Sequence, residues 1–456
     1  MKVIISGAGR VGYGIAERLA TGGNQVTVID IDADLIRTIT TDLDVRGYIG
    51  HGSHPDVLAK AGVADADMFI AVTHSDEVNM VACQVAHSVF KAPTKVARIR
   101  AQAYLQKQYN DLYSRANLPI DIIISPEVEI AQSVIRRLST PGARDVVPFD
   151  DGRVLLLGVD IEDESPVVGT PVGQMTSLFP DLHAVVVGVM RDGTVFAPEQ
   201  NDPLEIGDVA YIVTQASQAD RLLDIMGLAE PKARQIVVIG GGNIGRYVAA
   251  QLETQRNVRV RLIEMNKEVA ESAALSLRKT VVLHGNAMNA DLQDEAGVAD
   301  AELVLSLTNS DETNILSAVL AKSLGAESVG ALINELSMQR LRDELELDML
   351  IDPRGSTISS VLRHVRRGRI LDVFELEGGG AEVIEGEVLD TSTLAGKPIS
   401  FAERDGVRIG AIIRGTEVME PEPSDIVRAG DRIVLLSESS ALEEAELLFR
   451  VSMDYF

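Results

Sequence analysis

Up to Ser125 the chain reads as short apolar runs alternating with stretches whose apolar positions recur every three or four residues. VIIS (3–6) runs into a glycine turn, and VGYGIAERLATG (11–22) follows with helical spacing. VTVID (26–30) predicts a second strand, DADLIRTITTDL (32–43) a second helix and VRGYIG (45–50) a third strand. A short helix near Pro55–Ala61, the strand MFIAV (68–72) and a helix around Glu77–Phe90 come next. KVARIR (95–100) and IDIII (120–124) complete six strands. Strands and helices alternating this closely predict right-handed βαβ units and a parallel sheet.

The grammar then changes. From Asp145 to Thr214 the runs are short and β-rich, VLLLGVDI, HAVVVGVM and VAYIVT, with turns such as RDG and IGD between them. From Leu371 to Glu438 the same grammar returns in RIGAIIRG, RAGD and RIVLLSE. The return is part of a repeat of the whole chain. Gly7-Ala-Gly9-Arg10-Val11-Gly12 recurs 233 positions later as Gly240-Gly-Gly242-Asn243-Ile-Gly245, and His51-Gly52 recurs at the same offset as His284-Gly285. GVADADMFIAVTHSDEVN (62–79) recurs at an offset of 235 as GVADAELVLSLTNSDETN (297–314), which places two extra residues between Gly285 and Gly297. Ile124-Ser-Pro126 echoes in Ile351-Asp-Pro353, Gly169-Thr-Pro171 in Gly396-Lys-Pro398, and Gly207-Asp208 in Gly430-Asp431. The expected fold class is α/β: two tandem Rossmann-like parallel-sheet domains (1–140 and 234–368), each followed by a small β-rich α+β module (141–228 and 369–456).

A lone GxGxxG says little, but here a strand precedes each copy, a helix follows and an acid closes the second strand. Gly7 permits the tight turn, Gly9 lets a pyrophosphate approach the backbone, and Gly12 lets the helix pack on the strand. Phosphates then meet free N–H groups at a helix N-terminus. Asp30, 18 residues after Gly12, and Glu264, 19 after Gly245, are placed to accept from ribose hydroxyls. A carboxylate there repels the 2′-phosphate of NADP. The plainer alternative is that the glycines only shape a packed turn.

One position separates the two turns. Arg10 can reach a terminal phosphate with a forked pair of bonds, which suits ADP or ATP, whereas the second copy carries Asn243. The plainer alternative for Arg10 is a solvated side chain. The loops at His51–Ser53, Thr73–Asp76 and Arg98–Arg100 should line the crevice beyond the carboxyl ends of the strands. Thr73 and Ser75 can bond a ribose or base, Arg98 can face phosphates, and Asp76 sits where a helix N-cap is expected. His51, His54 and His74 lack the spacing of a closed metal site, and Cys83 falls on the apolar face of a helix. No nucleophile elbow, Walker loop or HExxH is present, so neither catalytic nor metal-ligating residues are expected.

Composition narrows the class further. Across 456 residues, 42 Lys and Arg stand against 68 Asp and Glu, a net charge of −26. An apolar content of 46% with 24% charged residues fits a globular chain and excludes a disordered one. The acidity argues against nucleic-acid binding and against direct adhesion to an anionic leaflet. It is concentrated at one end: Ile370–Phe456 carries 19 acids and 7 bases. One cysteine, the lack of an apolar run near the ~18–20 residues of a membrane span, and an opening without a signal-peptide core lead to the expectation of a cytosolic protein.

The arrangement resembles the TrkA family, the cytosolic regulatory subunits of bacterial Trk potassium-uptake systems, built from paired regulator-of-potassium-conductance domains. The resemblance spans essentially the whole chain. It is carried by HGSHPDVLAKAGVADADM, AVTHSDEVNMVACQVA and KVARIR in the first half, and by GGGNIG and SDETNILSAVLAK in the second. The resemblance implies a homo-oligomeric ring, a tetramer, under an integral-membrane potassium-translocating subunit, with no nucleic acid and no membrane insertion of its own. It implies a cytoplasmic protein, peripheral at the inner face of the membrane. It also implies ATP/ADP or NAD(H) in the crevices, with ATP/ADP favoured in the first, acting as a gate control and not as an enzyme. The implied contacts are Gly7, Gly9, Arg10, Val11, Gly12, Asp30, Thr73 and Arg98, with Gly240, Gly242, Asn243, Gly245 and Glu264 in the second half. VGALIN around Ala331 leaves Arg98 without a counterpart. The helices in VEIAQSVIRRL and TISSVLRHVRRGR are expected subunit-contact elements. The competing class is an NAD-dependent oxidoreductase with tandem Rossmann domains.

Overall fold

A computed structural model describes the chain except residues 179–181, 336–337, 339–343, 363, 365–369, 377–379, 405 and 451–456. The first sheet comprises β1 (Lys2–Ser6), β2 (Gln25–Asp30), β3 (Arg46–Ile49), β4 (Met68–Ala71), β5 (Thr94–Arg98) and β6 (Ile122–Ile124). All pair in parallel, in the order β3-β2-β1-β4-β5-β6. Its helices are α1 (Arg10–Thr21), α2 (Ala33–Asp42), α3 (Pro55–Ala61), α4 (Asp76–Ser88) and α5 (Pro126–Ser139). The central strands β1 and β4 are buried almost throughout because both faces are covered, whereas the edge strand β3 is partly exposed. Val3 and Ile5 pack into one core with Ile15 and Leu19 of α1, while Ile4 and Phe69 pack into another with Met80 and Cys83 of α4. Cys83 is thus a buried core residue.

The first small module holds β7 (Asp145–Phe149), β8 (Val154–Asp160), β9 (Ala184–Arg191), β10 (Thr194–Phe196) and β11 (Val209–Gln215), with α6 (Val172–Leu178) and α7 (Ala219–Ile225). Its sheet is antiparallel, in the order β10-β9-β11-β8-β7. The second half repeats the parallel sheet with β12 (Gln235–Ile239), β13 (Arg259–Glu264), β14 (Val281–His284), β15 (Leu303–Ser306), β16 (Ser328–Leu332) and β17 (Met349–Ile351), in the order β14-β13-β12-β15-β16-β17. Its helices are α8 (Asn243–Leu252), α9 (Lys267–Ser276), α10 (Ala290–Glu295), α11 (Asp311–Ser323) and α12 (Pro353–Leu362). A second antiparallel sheet, in the order β18-β19-β22-β20-β21, closes the chain with β18 (Ile370–Glu375), β19 (Ala381–Glu387), β20 (Val407–Arg414), β21 (Glu417–Met419), β22 (Arg432–Glu438) and α13 (Leu442–Leu447). The α/β class read from the sequence is the class found.

The four pieces group by kind. Met1–Gln132 and Gln235–Val365 form one compact unit, and Ser133–Arg234 with Arg366–Phe456 form the other. In the first unit Ile358 and Val361 of α12 are buried in the core of the first sheet beside α1. This helix thus packs between the halves of one chain; the basic end of its motif lies outside the described residues. In the second unit Tyr211 and Val213 share a core with Val383, Ile413 and Val434. The repeated Gly-Asp turns explain themselves: Asp208 receives both Nε and Nη2 of Arg191 at 2.8 and 2.7 Å, and Asp431 receives Arg414 in the same way at 2.9 and 2.7 Å.

The registers correct one alignment. Gly50 donates its N–H to the Asp30 carbonyl and Gly285 donates to that of Glu264, so Gly285 corresponds to Gly50, not Gly52. One extra residue therefore enters between α8 and β13, and another between Leu277 and β14. Glu253, at the end of α8, holds the second insertion. Its carboxylate accepts from the backbone N–H groups of Arg278, Lys279 and Thr280 at 2.9–3.1 Å and from the Thr280 hydroxyl at 3.1 Å. Burial pushes the Glu253 carboxyl up, but these donors outweigh it and hold it below the usual carboxylate value. A lowered folded value means that its stabilisation is present above the unfolded value of about 4.3 and fades as pH falls through the folded one. Glu253→Gln should cost about 1–3 kcal/mol in urea unfolding at pH 7, with the gap narrowing towards pH 4. A variant as stable as the parent at pH 7 would contradict this account.

Candidate functional site

The two glycine turns are built alike. Gly7 has φ +115°, and a Cβ there would lie 3.0 Å from the backbone of Val72 and Thr73. A Cβ on Gly12 would come within 1.8 Å of the Gly7 carbonyl oxygen, so α1 can start this close to β1 only with glycine. Gly240 and Gly245 repeat the pair, with φ +105° and a separation of 1.9 Å. Gly9 and Gly242 are different: a Cβ at either would meet nothing within 4 Å. They face open space at the starts of α1 and α8, and no side chain caps either helix. By contrast α2 is capped by Asp32 and α4 by Ser75. The first N–H groups of α1 and α8 are thus available to an anion. Val11 contributes packing as well, lying partly buried against the first core.

The acids close the turns. Asp30 accepts from the N–H of Ala8 at 2.6 Å and of Asp32 at 2.9 Å. Glu264 accepts from Gly241 at 2.6 Å and Asn266 at 2.7 Å. The halves differ here in a matched way: the longer Glu264 faces Gly241, where a Cβ would lie 3.1 Å from its own, while the shorter Asp30 faces Ala8. Each carboxylate keeps lone pairs for a ribose hydroxyl.

Beyond β4 a buried amide organises the wall. Asn79 Oδ1 accepts from the N–H and hydroxyl of Thr73 at 2.9 and 2.7 Å, and its Nδ2 donates to the carbonyls of Thr73 and Arg98 at 3.2 and 2.9 Å. Asn314 makes the same four bonds to Thr308 and Leu332. The Thr73 hydroxyl proton is therefore committed, and only its lone pairs face a ligand. Asp76 does not cap α4. Ser75 accepts from Val78 N–H, and Asp76, already the first helical residue, turns its carboxylate to the N–H groups of Arg100 and Ala101 at 2.8–3.0 Å. Asn79 escaped the sequence reading, although both copies of the SDE motif end in Asn.

The cations are unequal between halves. Arg98 is half-buried, and its Nε is shielded from solvent without a hydrogen-bond partner. Burial and the neighbouring Arg100 charge hold its pKa below the usual arginine value, against the pull of Glu127 and Asp76. Leu332 takes its place in the second crevice, since the two residues give equivalent carbonyls to Asn79 and Asn314. Arg10 forms an ion pair with Glu335 of the second half, and Asn243 donates to the Arg100 carbonyl of the first at 3.4 Å. His51 and His54 stack at 4.5 Å. Among the described residues, no group of three or more His, Cys, Asp or Glu is placed to hold a metal ion.

Paired Rossmann-type sheets with paired small modules define a protein of the tandem regulator-of-potassium-conductance class. Residues 3–126 and 236–353 match the model of the TrkA-N domain, and residues 156–227 and 383–450 that of the TrkA-C domain. The chain belongs to the TrkA family of Trk potassium-uptake proteins. The Trk system potassium uptake protein TrkA of Azorhizobium caulinodans is 50% identical over 459 aligned positions, covering 100% of both chains. That of Halomonas elongata is 38% identical, again over 100% of both, and that of Vibrio alginolyticus 36% identical over 99% of both. Among solved structures the GsuK channel shares the fold over 98% of this chain and 78% of its own, with TM-score 0.62 and 20% identity. The GsuK channel bound to NAD gives TM-score 0.60 and 19% identity over the same shares.

The wall around Asn79 yields a stability expectation. Asn79→Ala should destabilise the first sheet by about 2–4 kcal/mol, because four hydrogen bonds go and buried carbonyls are left unpaired. Urea unfolding of parent and variant measures it, and a difference below about 0.5 kcal/mol would contradict the role given to Asn79.

Proposed function

We propose that this chain is a nucleotide-sensing regulatory subunit of a Trk-type potassium-uptake system, controlling a membrane potassium-translocating partner without catalysing a reaction. The observation that carries the reading is the half-buried Arg98 guanidinium, with an unpaired Nε, on the wall where Asn79 ties Arg98 to Thr73, which lies against Gly7 of the open turn. A buried donor without a hydrogen-bond partner is costly, and a phosphate oxygen supplies the missing acceptor.

In the first crevice the N–H groups at Gly9, Arg10 and Val11 receive the diphosphate, with Gly7 and Gly12 allowing its approach. Asp30 takes the ribose, Thr73 offers its lone pairs, and Arg98 and Arg10 neutralise the outer phosphates; this suits ATP or ADP. The second crevice repeats the cradle with Gly240, Gly242, Asn243, Gly245 and Glu264. It has neither arginine of its own, which suits NAD(H) or a less charged adenine nucleotide better than ATP. Asp30 and Glu264 disfavour the 2′-phosphate of NADP in both. NAD bound to GsuK, a channel of the same fold, supports the choice of ligand class.

Among the described residues no helix is long and apolar enough to cross a membrane. With the acidic surface repelled by anionic lipid, a protein partner holds the chain at the inner face of the membrane, as part of a homotetrameric ring. A nucleotide moves such a ring only by binding its two shapes unequally. Titration calorimetry of the full chain tests the ligand side. Arg98→Gln should weaken ATP binding at least about tenfold while leaving adenosine binding nearly unchanged, the loss expected for a charge-assisted pair. Equal ATP affinity in parent and variant would remove the support for the reading.

A further inference from the structure

The starts of α1 and α8 face across between the two sheet domains, within one compact unit. Arg10, the first residue of α1, bonds Glu335 of the second half, while Asn243, the first of α8, reaches the Arg100 carbonyl of the first half. The two contacts are reciprocal in place: Arg100–Ala101 and Asn334–Glu335 both follow the fifth strand of their sheet. Both loops are fixed in the same way, by N–H bonds to Asp76 and to Asp311. Only one of the two contacts is ionic.

We propose that Glu335 is a specificity-determining residue of the first half's crevice: its carboxylate occupies Arg10 where a terminal phosphate would bind, so the two compete. The proposal rests on the nucleotide reading above. The uncapped helix start and the adjacent guanidinium attract an anion, and the second half supplies one to Arg10. A terminal phosphate carries about twice the charge of a carboxylate at neutral pH, and it displaces Glu335 without needing to unfold anything. The side chains of Arg10 and Glu335 are 63% and 44% exposed, so the pair is weak and reversible, as a competitor must be.

Displacement has a consequence for the other half. The Glu335 N–H is held by Asp311 at 2.9 Å, next to the Ser310 cap and the Thr308–Asn314 bonds that wall the second crevice. A phosphate on Arg10 therefore breaks a bond between the halves and leaves a carboxylate facing a polyanion, which repels the loop that frames the second site. The first crevice thus reads phosphate number and passes the result to the second through one side chain.

A double-mutant cycle on the full chain tests this, with ATP and adenosine as the probes. Glu335→Gln should tighten ATP binding roughly two- to fivefold, the range expected when an exposed ion pair is removed as competitor, and leave adenosine unchanged. On an Arg10→Ala background the same substitution should have a clearly smaller effect, because only the repulsion between carboxylate and phosphate is left to relieve. Both residues are exposed, so the variants should unfold with the parent, and thermal unfolding checks this. Unchanged or weaker ATP binding by Glu335→Gln, or the same tightening with and without Arg10, overturns the proposal. If the parent itself binds neither ATP nor adenosine, the nucleotide reading fails first, and this proposal falls with it.

Discussion

The approach of Gly12 to the Gly7 carbonyl, repeated by Gly245 and Gly240, is the constraint on which the rest of the sheet domains depends. At 1.8 and 1.9 Å from that oxygen there is no room for a Cβ, so each helix begins at the very edge of its first strand. That placement directs uncapped N–H groups at the carboxyl end of the sheet. It sets the acid at the end of β2 or β13 against the turn. It also brings the start of α1 within reach of the loop after β16. A bulkier turn would move the helix start, and the acid, the wall and the contact between halves would lose register together.

Duplication has kept this frame and varied what it carries. Asn79 and Asn314 make the same four bonds, and Asp76 and Asp311 fix equivalent loops. Against that background the differences stand out as local: Arg10 becomes Asn243, Arg98 becomes Leu332, and Ala8 with Asp30 becomes Gly241 with Glu264. Arg10 and Arg98 have no counterpart at their positions in the second half, where the cation at the turn is Arg246, bonded to Asn243. In the proposed function that inequality is the basis of sensing, since two identical crevices would answer every nucleotide alike.

Much of this was legible in the sequence because it is local. The strand runs, the helical spacing and the turn glycines each follow from backbone geometry within a few residues, and the repeat exposed itself by ordered matches. What could not be read depends on contacts between distant segments. The pairing of sheet domain with sheet domain, and module with module, is invisible when each module follows its own sheet in the chain. The His51-Gly52 match led the alignment two residues astray, because only the hydrogen bonds of Gly50 and Gly285 show which glycine ends the third strand. Asp76 was misread as a cap since the spacing of Ser75 and Asp76 suits either; the loop beyond β5 claims the carboxylate. Glu335 carried no motif at all, and its meaning comes entirely from the helix it faces.

The central claim is that one chain holds two nucleotide crevices of unequal charge. Counting bound ligand per chain by native mass spectrometry, with ATP and NAD(H) offered together, tests it most directly. The account predicts two adenine ligands per chain, one of each kind, with ATP preferred over ADP in one crevice and ATP unable to displace NAD(H) from the other. A single ligand per chain, or two interchangeable ones, would contradict it.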